Sequence, residues 1–324
     1  MKPNFSIIAD NKDVTDLLQS RLLSLSISDE IGLVSDTLTI KLDNRDSVFE
    51  IPSCGANLQI SLGYDSDIYS MGQFVVDEIE LNAPPETLTI TARASNSMLH
   101  DLGSFRSPKS KSWENQNLSS IVNALANAYG MQAELSSAYK GIFIDHIDQT
   151  CESDCAFIQR LATEYGGSVK ISGGKLLFID PYTGQFPDGT PLPKIQVGEL
   201  SDFSLRITER NKYGRVVAKY YDFDAGEEKE VTIGNQSPTY TFRETFNSEI
   251  QAKSRANAKL ANMRTGIYTL NIDMPGNPLL SAESVLDIQT GAEEILGTWI
   301  VKAAMHVLNS SGYKTSIEAT KPRE

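Results

Sequence analysis

The sequence predicts a mainly β, α+β chain in which two similar β-rich units, each a barrel or sandwich, flank a small α/β insertion, and three observations carry that reading. Period-two apolar patterning fills both ends of the chain and lapses in the middle. Two distant stretches spell nearly the same hairpin: Gly72–Val76 (GQFVV) returning through Glu86–Ala92, and Gly297–Val301 (GTWIV) returning through Tyr313–Ala319. Each follows a further β-rich segment closing near a glycine, Leu58–Gly63 in the first copy and Val285–Gly291 in the second. Hairpins resemble one another wherever alternation and turn glycines recur, so the likeness points to duplication without establishing it.

Leu23, Leu25 and Ile27, then Leu38, Ile40 and Leu42, alternate with polar residues and predict strands. Turn signals separate them at Asp43-Asn44, Gly55 and Pro84-Pro85. Short strands at this spacing predict a barrel or sandwich rather than a parallel α/β sheet. After about residue 98 the character changes. Phe105–Trp113 is basic and serine-rich, and its proline and small polar residues predict a loop. Asn117–Gly130 carries apolar residues at helical spacing, with Asn117 as N-cap and Gly130 as stop. A second helix is expected over 152–166, then a hairpin of 168–172 with 175–179 turning at Gly173-Gly174. Alternation resumes beyond Pro191, as at Phe203–Thr208 and Arg215–Tyr221. One helix interrupts it over about 248–265, capped by Ser248, closed by Gly266, and with Arg264 near the negative end of its dipole. The expected domains are 1–100, a first barrel or sandwich; 101–186, the insertion; and 187–324, a second barrel or sandwich that includes this helix.

The chain has 324 residues and a formal net charge of -13. That balance disfavours binding nucleic acid through its phosphates, which needs a basic surface; its default reading is a charge that keeps the protein soluble, and the other is a passage that DNA crosses without sticking. The N-terminal apolar run is too short for a signal peptide, and no stretch approaches the roughly 20 apolar residues that span a bilayer. Cys54, Cys151 and Cys155 make no disulfide framework; they are expected to be buried small hydrophobes, with a metal role for Cys151, Cys155 and His146 a distant second.

Sites for chemistry are weak. Gly173-Gly174-Lys175 lacks the hydroxyl and the first glycine of a phosphate loop. Asp222–Glu228 lacks a third oxygen ligand of a calcium loop, and Ile233 stands where the closing carboxylate belongs, so a solvated turn is expected. His100, His146 and His306 are scattered. No catalytic residue, metal or cofactor is therefore assigned. The candidate binding feature is the basic loop with Arg106, Lys109, Lys111 and Trp113, which would dock an acidic partner; a solvated linker is the equal alternative.

Several segments, in order over nearly the whole chain, resemble the phage late control gene D protein family. They are Leu22–Glu30, Ser35–Asn44, Gly55–Tyr64, Met71–Ile79, Arg106–Trp113, Gln149–Asp154 with Phe157 and Arg160–Ala162, and Gly297–Val301 with His306. The resemblance implies a non-enzymatic baseplate hub of a contractile tail or related injection system. It further implies a homotrimer with two tube-facing β-barrels per subunit, a pseudo-sixfold ring between the tail tube protein and the central spike protein. Tape measure and baseplate wedge proteins are the further partners it suggests, and the virion tail, assembled in the host cytoplasm, is the expected location. Neither specific nucleic-acid binding nor membrane insertion is expected. An alternative is a peptidoglycan-binding module, since Leu118, Ile121, Val122 and Tyr129-Gly130 resemble a LysM-like motif; a wall hydrolase is a third reading without a catalytic constellation to support it.

Overall fold

The computed structural model describes residues 2–33, 36–45, 51–94, 103–172, 174–198, 200, 202–208, 213–265 and 267–323. His100, Gly173 and Gly266, singled out above, lie outside them. The N-terminal third contains β1 (Pro3–Ala9), β2 (Lys12–Asp13), α1 (Thr15–Gln19), β3 (Leu22–Glu30), β4 (Thr37–Asp43), β5 (Asn57–Tyr64), β6 (Asp67–Asn82) and β7 (Thr87–Ala94). The middle contains α2 (Gly103–Arg106), β8 (Pro108–Asn117), α3 (Leu118–Ala128), β9 (Gln132–Leu135), α4 (Ser137–Lys140), β10 (Phe143–Ser153), α5 (Asp154–Tyr165), β11 (Ser168–Ser172) and β12 (Lys175–Ile179). There follow β13 (Lys194–Val197), β14 (Asp202–Ile207), β15 (Arg215–Asp222), β16 (Glu227–Gly234), β17 (Thr239–Phe246) and α6 (Glu249–Thr265). The chain ends with β18 (Tyr268–Pro275), β19 (Val285–Ile288), β20 (Gly297–Asn309) and β21 (Gly312–Thr320). The protein is mainly β.

The repeated hairpins fold alike down to their irregularities. In the first unit the sheet order is β3-β4-β7-β6-β5; in the second it is β14-β18-β21-β20-β19, with antiparallel neighbours throughout. Leu58 faces Phe74 as Leu286 faces Trp299, and Val76 faces Ala92 as Val301 faces Ala319. Immediately beyond, both long strands carry a β-bulge, between Val76 and Glu78 and between Val301 and Ala303. A bulge bends a strand at one defined place, so finding it at matched positions is a far sharper sign of duplication than alternation. Gly72 and Gly297, equivalent residues, both adopt positive φ, at 112° and 96°. Carrying the register outward makes Leu25 and Ile27 the counterparts of Phe203 and Leu205.

The two units join inside the chain. β20 continues past its bulge and pairs with β3, Ala303 to Glu30 through Asn309 to Ser24, so that thirteen strands share one sheet. Each unit keeps its own core, around Ile27, Ile40 and Phe74 in the first and around Ile272, Trp299 and Ile317 in the second. The middle segment has a third core, with α3 and α5 packed against β11 and β12. Ser153 caps α5 by accepting from the Ala156 N–H, and Gly166 ends it in the left-handed conformation.

Three expectations need correction. The basic stretch expected as a loop is the short helix α2 followed by strand β8, paired antiparallel with β10. Its sequence hides this because a solvent-facing hairpin needs polar cross-strand partners rather than apolar alternation, and Ser112 donates to Asp148 while Lys109 faces Glu152. The cysteines are not buried: Cys54 and Cys151 are exposed and Cys155 is half-buried. Cys151 sits at the β10 bulge with φ 47°, which turns its thiol outward toward Ser110. Helix α6, expected within the second barrel, packs instead on a separate three-stranded sheet, β16-β15-β17, inserted between β14 and β18.

Candidate partner-binding surfaces

The β8–β10 hairpin positions the basic residues read from the sequence, but gives them different tasks. Lys109 reaches Asp154 Oδ2 at 2.7 Å and donates to the Tyr129 hydroxyl at 2.5 Å. Burial would raise the Asp154 carboxyl; hydrogen bonds from Lys109, Tyr129 and Gln149 outweigh it and hold the group below its ordinary range. Lys109 is thereby a structural cation, tying β8 to the start of α5. Trp113 is buried and stacks on Phe157, with ring centroids 5.9 Å apart and planes 8° apart. Lys111 lies over the outer face of Trp113, 3.5 Å from its centroid. Of the four residues, Arg106 and Lys111 therefore keep an exposed cationic face, whereas Trp113 serves the core.

The residues of the wall-binding alternative also go inward. Leu118, Ile121 and Val122 are fully buried in the middle core, and the Tyr129 hydroxyl is held by Asp154 and Lys109. His146 is an exposed partner of Glu114 and Asp148. His306 is buried, with Nδ1 at 2.8 Å from the Tyr313 hydroxyl and Nε2 at 2.9 Å from the Leu280 carbonyl, and burial lowers its pKa. It is a satisfied core side chain. Among the described residues no cluster of histidine, cysteine and carboxylate groups is arranged to hold a metal.

A half-buried charged cluster joins three parts of the chain. Lys170 on β11 meets Glu283 at 3.3 Å, and Asp29 on β3 accepts from the Ala282 N–H at 2.9 Å. Burial and the neighbouring Asp29 push the Asp36 carboxyl up to about 7.

The surfaces that sequence reasoning missed are two strand edges. Among the described residues β14 pairs with β18 on one flank only, and β6 beyond its bulge pairs with β7 on one flank only. Both edges carry outlying apolar side chains: Phe203 is 37% exposed, Leu81 53% and Ile207 54%. The available signal was alternation that runs on past the first quoted hairpin strand, at Ile79 and Leu81, and that includes Leu205 and Ile207 within the quoted stretch Phe203–Thr208.

A mainly β chain whose sheet unit occurs twice, joined through a middle domain, has the fold of phage tail proteins. Its structure is similar to the 43 kDa tail protein of prophage MuSo2 from Shewanella oneidensis, with TM-score 0.70 and 13% identity, covering 99% of both chains. It is also similar to the Escherichia coli c3393 protein, a component of the type VI secretion system that exhibits structural similarity to bacteriophage T4 tail proteins. There the TM-score is 0.54 and the identity 12%, over 94% of this chain and 74% of that one. The chain belongs to the phage tail baseplate hub (GPD) family, whose model matches residues 84–312. In sequence it is 26% identical to the probable baseplate hub protein of Escherichia phage P2, over 98% of this chain and 93% of the relative. It is thus a baseplate hub protein of a phage tail or a tail-like particle.

Proposed function

We propose that the chain acts without catalysis, as a homotrimeric ring of pseudo-sixfold symmetry that joins a sixfold tail tube to a threefold central spike. The observation that carries this reading is the duplicated unit with its matched bulges: three chains with two units each present six similar surfaces on one side and three identical ones on the other. Each unit acts as a barrel-like body. In the first, inward side chains from β1, at one end of the sheet path, and from β3, nearer the other, enter one core, which favours a rolled sheet. The middle domain and the β15–α6 module are insertions that dress this ring. Arg106 and Lys111 offer a cationic spot for an acidic partner at its periphery. The net charge of -13 suits a channel that DNA must leave.

Light scattering coupled to size exclusion tests this. The expected result is a particle of about 107 kDa, three times the 35.6 kDa chain, with the spike partner adding to it as a complex. A monomer that stays monomeric with the spike protein present contradicts it.

A further inference from the structure

We infer that the free edge of β14 in one copy pairs antiparallel with the outer half of β6 in the next, closing the ring by a strand-to-strand seam that copies the β20–β3 seam inside each chain. The inference rests on the trimeric reading above and names the contact that builds it.

The internal seam is the template. β19 occupies one flank of β20 only as far as Ile300, and past the bulge that flank is filled by β3, from Ala303 to Asn309. In the first unit β5 likewise occupies one flank of β6 only as far as Val75. The same flank of Glu78–Asn82 has no partner strand among the described residues, because β7 takes the other side. β14, the counterpart of β3, is the terminal strand of the sheet path. Each chain therefore carries one filled seam and the two unlike halves of a second.

Burial marks the vacancy. At the filled seam Leu25, Ile27, Ala304 and His306 are at most 2% exposed. Their counterparts at the open edges are Phe203, Leu205, Ile79 and Leu81; of these Phe203 is 37% and Leu81 53% exposed, and the other two are only half-buried. An edge with exposed apolar side chains is a template for adding a strand.

Transferring the register of the internal seam residue by residue fixes the pairs. Ala304 opposite Asp29 becomes Ile79 opposite Ile207, and His306 opposite Ile27 becomes Leu81 opposite Leu205. On the other face Met305 opposite Ser28 becomes Glu80 opposite Arg206. The transferred register thus puts two apolar pairs on the core side and an opposite-charge pair on the outer side, the combination that stabilises an antiparallel ladder. Because the two edges differ, the contact is head-to-tail and closes into a ring of three when the internal seam sets the same rotation.

Disulfide trapping tests this in the full-length chain, with Cys54, Cys151 and Cys155 changed to serine. Glu80→Cys and Arg206→Cys in the same chain place two thiols on directly opposed residues, where Cα atoms about 4.5–5.5 Å apart suit a disulfide. Mild oxidation is expected to convert the protein to covalent dimers and trimers on a non-reducing gel, while Asn82→Cys with Arg206→Cys, slipped by two residues, links poorly. Mass by light scattering is measured on the same samples. A trimer that does not link at Glu80 and Arg206, or links equally in the slipped pair, overturns the seam and leaves the trimer standing. A protein that stays monomeric with the spike protein present overturns the trimeric reading and the seam with it. Glu80→Arg is expected to shift trimer toward monomer, and Glu80→Arg with Arg206→Glu to restore it; failure of the double exchange to restore the trimer also counts against the seam.

Discussion

Replacing Trp299 with phenylalanine probes the duplicated core directly, because Phe74 fills the equivalent place in the first unit. Trp299 is fully buried, its indole N–H donates to the Ile295 carbonyl at 2.6 Å, and Lys321 lies 4.0 Å over its ring. Phenylalanine leaves the carbonyl without its donor, which costs about 1–3 kcal/mol. The smaller ring leaves a partly relaxed void worth about 1 kcal/mol. The expected loss is about 2–4 kcal/mol in the second unit, while phenylalanine is itself compatible with the site's shape. Because the chain has several cores, hydrogen exchange resolved by segment is a better assay than one melting curve. Amides of β20 and β21 that exchange by opening the second unit are expected to speed up by about 30-fold to several hundred-fold, at 1.4 kcal/mol per tenfold. Those of β6 and β7 stay unchanged apart from residues near the shared sheet. An effect below threefold, or one spread equally over both units, refutes the assignment of Trp299 to the core of the second unit.

Lys109→Ala leaves Asp154 with Tyr129 and Gln149 but no cation, and is expected to destabilise the middle domain by about 1–2 kcal/mol, discounted because the lysine is partly exposed; Arg106→Ala is expected to stay within about 0.5 kcal/mol, and thermal melting separates the two. Asp36 has a folded pKa of about 7, above its unfolded value, so unfolding releases a proton between about pH 4 and 7 and its contribution to stability declines as pH rises through that window. Asp36→Asn is expected to flatten this decline in urea titrations and to gain stability relative to the parent at pH 8 but not at pH 4. At Gly63 a Cβ would lie 2.0 Å from the Asp67 carbonyl oxygen and 2.8 Å from the Ile68 Cα, both backbone atoms, so Gly63→Ala is expected to cost about 2 kcal/mol or more; at Gly103 nothing lies within 4 Å, and Gly103→Ala is expected to be near neutral by the same melt.

The strands that bury one face were legible because burial imposes period two on them: β3, β4, β5 and β7 follow the alternation read from Leu25 to Ala92. The longer helices were legible from their ends, as at Asn117 and Gly130 for α3, where Asn117 makes no side-chain cap bond, and at Ser248 for α6, where the serine accepts from the Gln251 N–H. What stayed hidden was structure held by polar pairing. β8 alternates serine and lysine, and β16 begins with charged residues that meet Lys219 and Asp222 across the sheet, so neither carries the apolar signal of a strand. Parallel pairs such as β9 with β12 and β15 with β17 join residues whose sequence neighbours give no hint of direction. The basic cluster was visible as charge, but the division of labour within it was not, since only the fold shows that Trp113 points to Phe157 and Lys109 to Asp154. The strand edges were written in the sequence as continued alternation, yet a single chain read linearly does not reveal which strands lack a neighbour.

The central claim is that two equivalent units per chain generate a sixfold-like ring from three copies. Electron microscopy of the purified protein viewed down its axis tests this most directly. A pseudo-sixfold hub predicts rings whose rotational power is strong at six, from the duplicated sheet unit, with a weaker threefold component from the two inserted modules. Rings with threefold power and none at six, or particles that form no ring with the spike protein present, would contradict it.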